Sequence, residues 1–179
     1  MGLAVELFFD PALEEQLRRV WREVSEKAGV SDTMAAMGSR PHVSLACFES
    51  APFEDTLGAI EAFASKQPVF DIHLDSVGTF AGSEGAVFLA PVPNRRLLNA
   101  HAVFIAGIQG LVQGMVSYYL VDRLVFHCTI AYGLQDQQIA AVVAAARQTA
   151  LPFVGRVASI GLVKPSDGTI FGDFKLAAS

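Results

Sequence analysis

Apolar residues along the chain recur with two periods, and the switches between them mark alternating strands and helices. "LAVELFFD" at 3–10 reads as a strand. Asp10 and Pro11 then supply an N-cap and a first helical residue for a helix whose Leu13, Leu17, Val20, Trp21 and Val24 share one face, and Gly29 ends it. A polar connection leads to the strand "HVSLACF". A helix near 53–66 follows, with Phe53, Leu57, Ile60 and Phe63 expected inward, and then strands around 69–80 and 86–92 joined by "AGSEG". "GAVFLAPV" opens a second series. Asn94 caps a helix carrying Leu97, Leu98, Phe104, Ile105 and Ile108, "HCTIAY" is a strand, "QDQQIAAVVAAARQ" a helix, and 153–163 with 169–176 a closing hairpin.

The second series is a copy of the first. "SVGTFAGSEGAVF" at 76–88 returns as "SIGLVKPSDGTIF" at 159–171, a step of 83 residues from 76 to 159. "RPHVSLACF" at 40–48 and "FHCTIAY" at 126–132 each carry a histidine, one residue, then a hydroxyl, and from His42 to His127 the step is 85. Two β-α-β-α-β units, about 3–85 and 86–176, predict an α+β fold. The expectation is a single domain with two lobes, in which two antiparallel-rich sheets face a central groove and helices cover the outside.

Composition narrows the role. With 179 residues, 52% hydrophobic and 17% charged, and a mean hydropathy of +0.40, the chain reads as one well-packed domain. Its 13 Lys and Arg are outnumbered by 18 Asp and Glu, a net charge of −5, which argues against duplex nucleic acid as a partner and leaves a small or terminal anionic ligand open. Cys47 and Cys128 lie in apolar runs and read as reduced, packed thiols. The N-terminus lacks the basic start of a signal peptide, and no apolar stretch suggests a membrane span, so a soluble, cytoplasmic protein is expected.

Strand alternation sends His42 and Ser44 to one face and Val43, Leu45 and Cys47 to the other; His127 and Thr129 likewise oppose Cys128 and Ile130. If the two units face each other, two imidazoles and two hydroxyls meet in one groove. That set suits phosphodiester chemistry: a base for water, an acid for the departing sugar oxygen, and donors to the non-bridging oxygens. By the same alternation, a metal shared by His42 and Cys47, or by His127 and Cys128, is not expected. Ser44 has no nucleophile elbow around it, so it reads as a donor. His73, between Asp71 and Asp75, and His101, on a helix between Leu97 and Ile105, have no hydroxyl two residues on and read as structural.

Paired H-x-[ST]-hydrophobic motifs in a duplicated α+β chain of this size resemble the two-histidine (2H) phosphoesterase superfamily. That superfamily includes 2′-5′ RNA ligase-like proteins and cyclic nucleotide phosphodiesterases. The resemblance implies hydrolysis, without metal or other cofactor, of a cyclic phosphodiester: a 2′,3′-cyclic nucleotide, an ADP-ribose cyclic phosphate or a cyclic-phosphate RNA end. It makes His42 and His127 the acid–base pair and Ser44 and Thr129 the phosphate donors. Phe80, Tyr118 and Tyr119 suit stacking on a base, and Arg123, Arg40 and Lys164 suit steering of phosphate. Its alternatives are 2′-5′ RNA ligase or 2′-5′ phosphodiesterase activity in the same groove, and a non-catalytic nucleotide or RNA-end binding module. Two groups able to exchange protons favour the enzyme. The expected partner is a small nucleotide or RNA terminus, and the expected state a monomer.

Overall fold

The structure is a computed structural model, and it describes residues 2–178. In order, the chain forms β1 (Leu3–Phe9), α1 (Pro11–Ala28), α2 (Thr33–Ala36), β2 (His42–Phe48), α3 (Phe53–Ala64) and β3 (Phe70–Thr79). It continues with β4 (Val87–Pro91), α4 (Arg95–Ile108), a 3₁₀ turn (Ser117–Tyr119), β5 (Cys128–Ala131), α5 (Asp136–Ala146), β6 (Phe153–Lys164) and β7 (Thr169–Lys175). The short α2 falls in the segment that reads as a polar connection; Asp32 caps it through the Ala35 amide.

Local chemistry sets the longer helices. At α1 the Asp10 carboxylate accepts from the amides of Ala12 and Leu13, Pro11 takes the position that needs no amide hydrogen, and Gly29 closes the end in the left-handed region at φ 66°. All five predicted apolar residues of α1 are buried, and its Trp21 indole donates to the Thr129 carbonyl at 3.1 Å, tying the helix to β5. Two inward predictions are corrected. Phe53, at the first position of α3, is 41% exposed and meets Phe171 edge-on at 5.3 Å. Leu98 is 48% exposed because the buried stripe of α4 runs through Leu97, Ala100, His101, Phe104 and Ile108, which leaves Leu98 beside it.

Every strand pairing is antiparallel, along the path β2-β1-β6-β3-β4-β5 with β7 also on β6. The two predicted sheets are therefore joined through β6. Its first residues, Phe153 to Val157, pair with β3, whereas Ser159 to Lys164 pair with β7 and Val157 to Val163 with β1. One half of the sheet is β2-β1-β6-β7 and the other is β6-β3-β4-β5. Each unit thus gives its third strand to the other's half, and the helices exchange in the same way: α1 packs on α5, and α3 on α4.

Both motif strands carry the same irregularity. Val5 pairs with Ala46 but Glu6 with Ser44, which leaves Leu45 as the extra residue of a β-bulge; Val87 pairs with Ala131 but Phe88 with Thr129, which leaves Ile130. A bulge resets the alternation. After Ser44, both Leu45 and Ala46 face the core, and Cys47 returns to the groove; after Thr129, both Ile130 and Ala131 are buried, and Tyr132 returns.

Candidate active site

The groove between the two halves holds a cavity of about 240 Å³. The first motif contributes His42, Ser44 and Cys47, and the second contributes His127, Thr129 and Tyr132. Cys47 is thus on the same face as His42, contrary to simple alternation, because the bulge at Leu45 flips the phase. Burial pushes its thiol up to about 11, which keeps it neutral at ordinary pH. No group of three or more His, Cys, Asp or Glu side chains is placed to hold a metal ion among the described residues.

The two histidines are locked alike. His42 Nδ1–H donates to the Arg40 carbonyl at 2.6 Å, and His127 Nδ1–H donates to the Val125 carbonyl at 2.7 Å. A carbonyl only accepts, so in each neutral ring the proton sits on Nδ1 and the lone pair on Nε2. Nε2 is then the nitrogen free to take or give a proton.

Their surroundings differ. Glu6, 5% exposed on β1 and paired in register with Ser44, places Oε2 3.4 Å from His42 Nδ1. At the corresponding place in the second unit stands Phe88, paired with Thr129, and its ring and that of Phe80 close around His127 at centroid distances of 5.4 and 4.9 Å. Phe88 lies over Gly78, the glycine of the repeated "SVG", where a Cβ would strike its ring. Burial among these rings pushes His127 below the ordinary imidazole value, and the charge of His42 pushes the same way.

Of the other predicted residues, Tyr119 lines the cavity beside Ser44 and Cys47. Its phenol shares hydrogen bonds with Cys47 and Ser44, and burial raises its pKa, so it stays a neutral donor. His101, buried on α4, fixes that segment by donating from Nε2 to the Tyr119 carbonyl at 2.9 Å. His73 is exposed on β3. Arg40 lines the cavity, but its Nε reaches Glu14 at 2.7 Å, its Nη1 reaches Asp173 at 2.7 Å, and its plane covers Phe8. It is a clamp joining α1, β1 and β7. Phe80, Tyr118 and Arg123 line a second hollow of about 570 Å³, which meets the first at Phe80, Glu84, Tyr119 and His127. Lys164 lines neither; it holds Asp167 at 2.6 Å in the β6–β7 turn. Alternation explains this, since its neighbours Val163 and Pro165 face the cavity. Glu6, Cys47, Tyr132 and Glu84 also line the site, and the sequence pattern does not single them out. The repeat offers a signal for one pair, because Cys47 and Tyr132 are also 85 residues apart.

Comparison with known proteins decides the family: the 2′-5′ RNA ligase superfamily matches residues 9–169, most of the chain. The chain belongs to that superfamily. These are two-histidine phosphoesterases, and the two H-x-[ST] motifs both fall inside the matched span. Among solved structures, E. coli LigT complexed with 3′-AMP is similar at 15% identity and a TM-score of 0.61, with 98% of each chain covered. A protein of Thermus thermophilus is similar at 15% identity and a TM-score of 0.58, with 100% of each chain covered. Kluyveromyces marxianus Usb1 is similar at 14% identity and a TM-score of 0.50, covering 97% of this chain and 96% of its own. At these identities the likeness is one of fold. No curated protein matches the sequence. No helix among the described residues is long and apolar enough to cross a membrane.

Proposed function

We propose that the protein hydrolyses a cyclic phosphodiester, a 2′,3′-cyclic phosphate on a nucleotide or RNA end, with His127 as base and His42 as acid. The observation that carries this reading is the pair of Nδ1–H locks, which leave both Nε2 atoms free in one small cavity lined by Ser44 and Thr129. His127, held below the ordinary imidazole range, is neutral near pH 7 and takes a proton from water at Nε2. The water oxygen bonds to phosphorus, the bond from phosphorus to one ribose oxygen breaks, and that oxygen receives the Nε2 proton of His42. The product is an open phosphate monoester, and the two rings exchange one proton with solvent to reset.

Charge on the phosphate is met mainly by neutral donors. Arg40 is engaged by Glu14 and Asp173, so Ser44, Thr129, Tyr119 and the protonated imidazole remain to stabilise the developing oxyanion. The second hollow beside Phe80 and Tyr118 favours a substrate with a nucleoside on that side. It also supports the second reading, in which a 2′-5′ linkage is cleaved or joined there. LigT structures have been determined with ATP, 3′-AMP, NADP+ and phosphate, all ligands that carry a phosphate group. A screen against the four 2′,3′-cyclic nucleotides, a 2′-5′ dinucleotide and a cyclic-phosphate-ended RNA tests the reading. Turnover of a cyclic phosphate that His42→Ala and His127→Ala each slow by roughly 10²–10⁴ is expected. Tight binding of all of these without turnover would leave a binding module instead.

A further inference from the structure

The two histidines share one backbone geometry, and among the described residues only His42 has a carboxylate within ion-pair distance. We propose that Glu6 is a positioning residue that keeps a second proton on His42, so that His42 enters the reaction as the acid. This rests on the reading of His42 and His127 as the proton-transfer pair.

Three observations support it. Glu6 is almost wholly buried, and burying a carboxylate is costly unless a cation accompanies it. Its ion-pair partner among the described residues is His42, at 3.4 Å, because the guanidinium of Arg40 is held by Glu14 and Asp173. The equivalent place in the second unit holds Phe88, so the strand pairing itself does not require a carboxylate.

The groups around His42 come from several elements. Glu6 is on β1; Ser44 and Cys47 are on β2; Tyr119 is on the 3₁₀ turn; His127 and Cys128 approach at the start of β5; Arg40 precedes β2; and Glu84, on the β3–β4 turn of the same cavity, acts on His127, where its charge opposes the effect of burial. Burial holds the thiols of Cys47 and Cys128 up to about 11 and about 12, and raises the Tyr119 phenol, so these three stay neutral through the assay range. Glu6, Glu84, Arg40 and His127 are the charges that remain. Burial pushes the Glu6 carboxyl up from its ordinary value, and the charges of His42 and Arg40 pull it back.

Glu6→Gln keeps the shape and an acceptor oxygen but removes the charge. Ring NMR of the full chain should show the His42 titration moving to lower pH in this variant. In kcat/KM, the alkaline limb should move the same way, so that activity at about pH 8 falls roughly tenfold, the effect of one pKa unit, while activity at about pH 6 and KM hold. A uniform loss at every pH, or an unmoved His42 titration, would overturn the proposal. If no cyclic phosphate is turned over, the functional reading fails by itself, and the NMR titration still decides the role of Glu6. If Glu6→Gln does not fold, His42→Gln serves instead: the carboxyl resonance of Glu6 should then titrate at higher pH than in wild type, and an unchanged midpoint would overturn the pairing.

Discussion

The strand of His42 and the strand of His127 are the same device built twice, with different surroundings. Each has a bulge one residue after its hydroxyl, each histidine donates from Nδ1 to the carbonyl two residues before it, and each strand returns to the groove at a third position. What differs is the neighbouring strand, which offers His42 the Glu6 carboxylate and His127 the ring of Phe88, with Phe80 beside it. Geometry thus makes both rings able to move a proton at Nε2. Burial among the rings of Phe80 and Phe88 holds His127 below the ordinary imidazole value. In the proposed reaction, the duplicated backbone supplies two equivalent arms, and the residue that differs on the neighbouring strand sets which arm gives and which takes.

The largest expected effect comes from removing either arm. His42→Ala and His127→Ala should each lower kcat/KM by roughly 10²–10⁴, the usual contribution of positioned proton transfer. Removing the hydroxyls comes next: Ser44→Ala and Thr129→Val should each slow turnover by about 10²-fold, the low end for one oxyanion donor, because the cavity opens to water. Steady-state kinetics with folding checked by circular dichroism measures both. Equal, full activity in the two hydroxyl variants would make those side chains packing residues.

Phe80→Ala sharpens the contrast between the arms. It admits water to His127, whose ring should titrate closer to its ordinary value, so the acid limb of the rate profile should move to higher pH and activity near pH 6 should fall. Stability carries the same asymmetry with opposite signs. A histidine whose folded pKa is depressed gives stability that is complete above about 6.5 and lost as pH falls toward its folded value; His127 is such a group. A carboxyl whose folded pKa is raised makes the fold less stable as pH rises from about 4.5 through its folded value, and Glu6 is that group. Thermal unfolding of Glu6→Gln should therefore show a flatter pH dependence above about 4.5 than wild type. The smallest effect is that of Lys164→Ala. Activity should be unchanged and stability should shift by less than about 0.5 kcal/mol, since the ion-pair partner of Lys164 among the described residues is the exposed Asp167 of its own turn.

The apolar pattern locates the strands and the longer helices and the repeat locates both histidine arms, whereas α2 reads as a connection; burial alternates along the first half of β3, but β1 is buried on both faces. The pattern fails where the regularity breaks. The bulge at Leu45 puts Cys47 in the groove although parity sends it to the core, and a bulge leaves no mark in the apolar pattern when Leu45 and Ala46 are both buried. Glu6 escapes notice for a different reason. A single carboxylate inside "LAVELFFD" reads as the solvent side of a strand, whereas in the fold that side lines the groove and leaves Glu6 only 5% exposed. Lys164 shows the reverse case: the resemblance suits it to steering phosphate, but the register of β6 turns it away from the cavity. The exchange of β3 and β6 between the two halves is equally invisible, because sequence periodicity records each strand but not its partner.

The most direct test of the shared proton transfer is kcat/KM against pH for wild type, His42→Ala, His127→Ala and the double variant, on whichever cyclic phosphate is turned over. Wild type should give a bell. His127→Ala should lose its acid limb and His42→Ala its alkaline limb, and the double variant should be scarcely slower than the poorer single one, because the two rings act as a unit. Losses that multiplied in the double variant, with both limbs surviving in each single one, would mean that the histidines act independently, and would contradict the account.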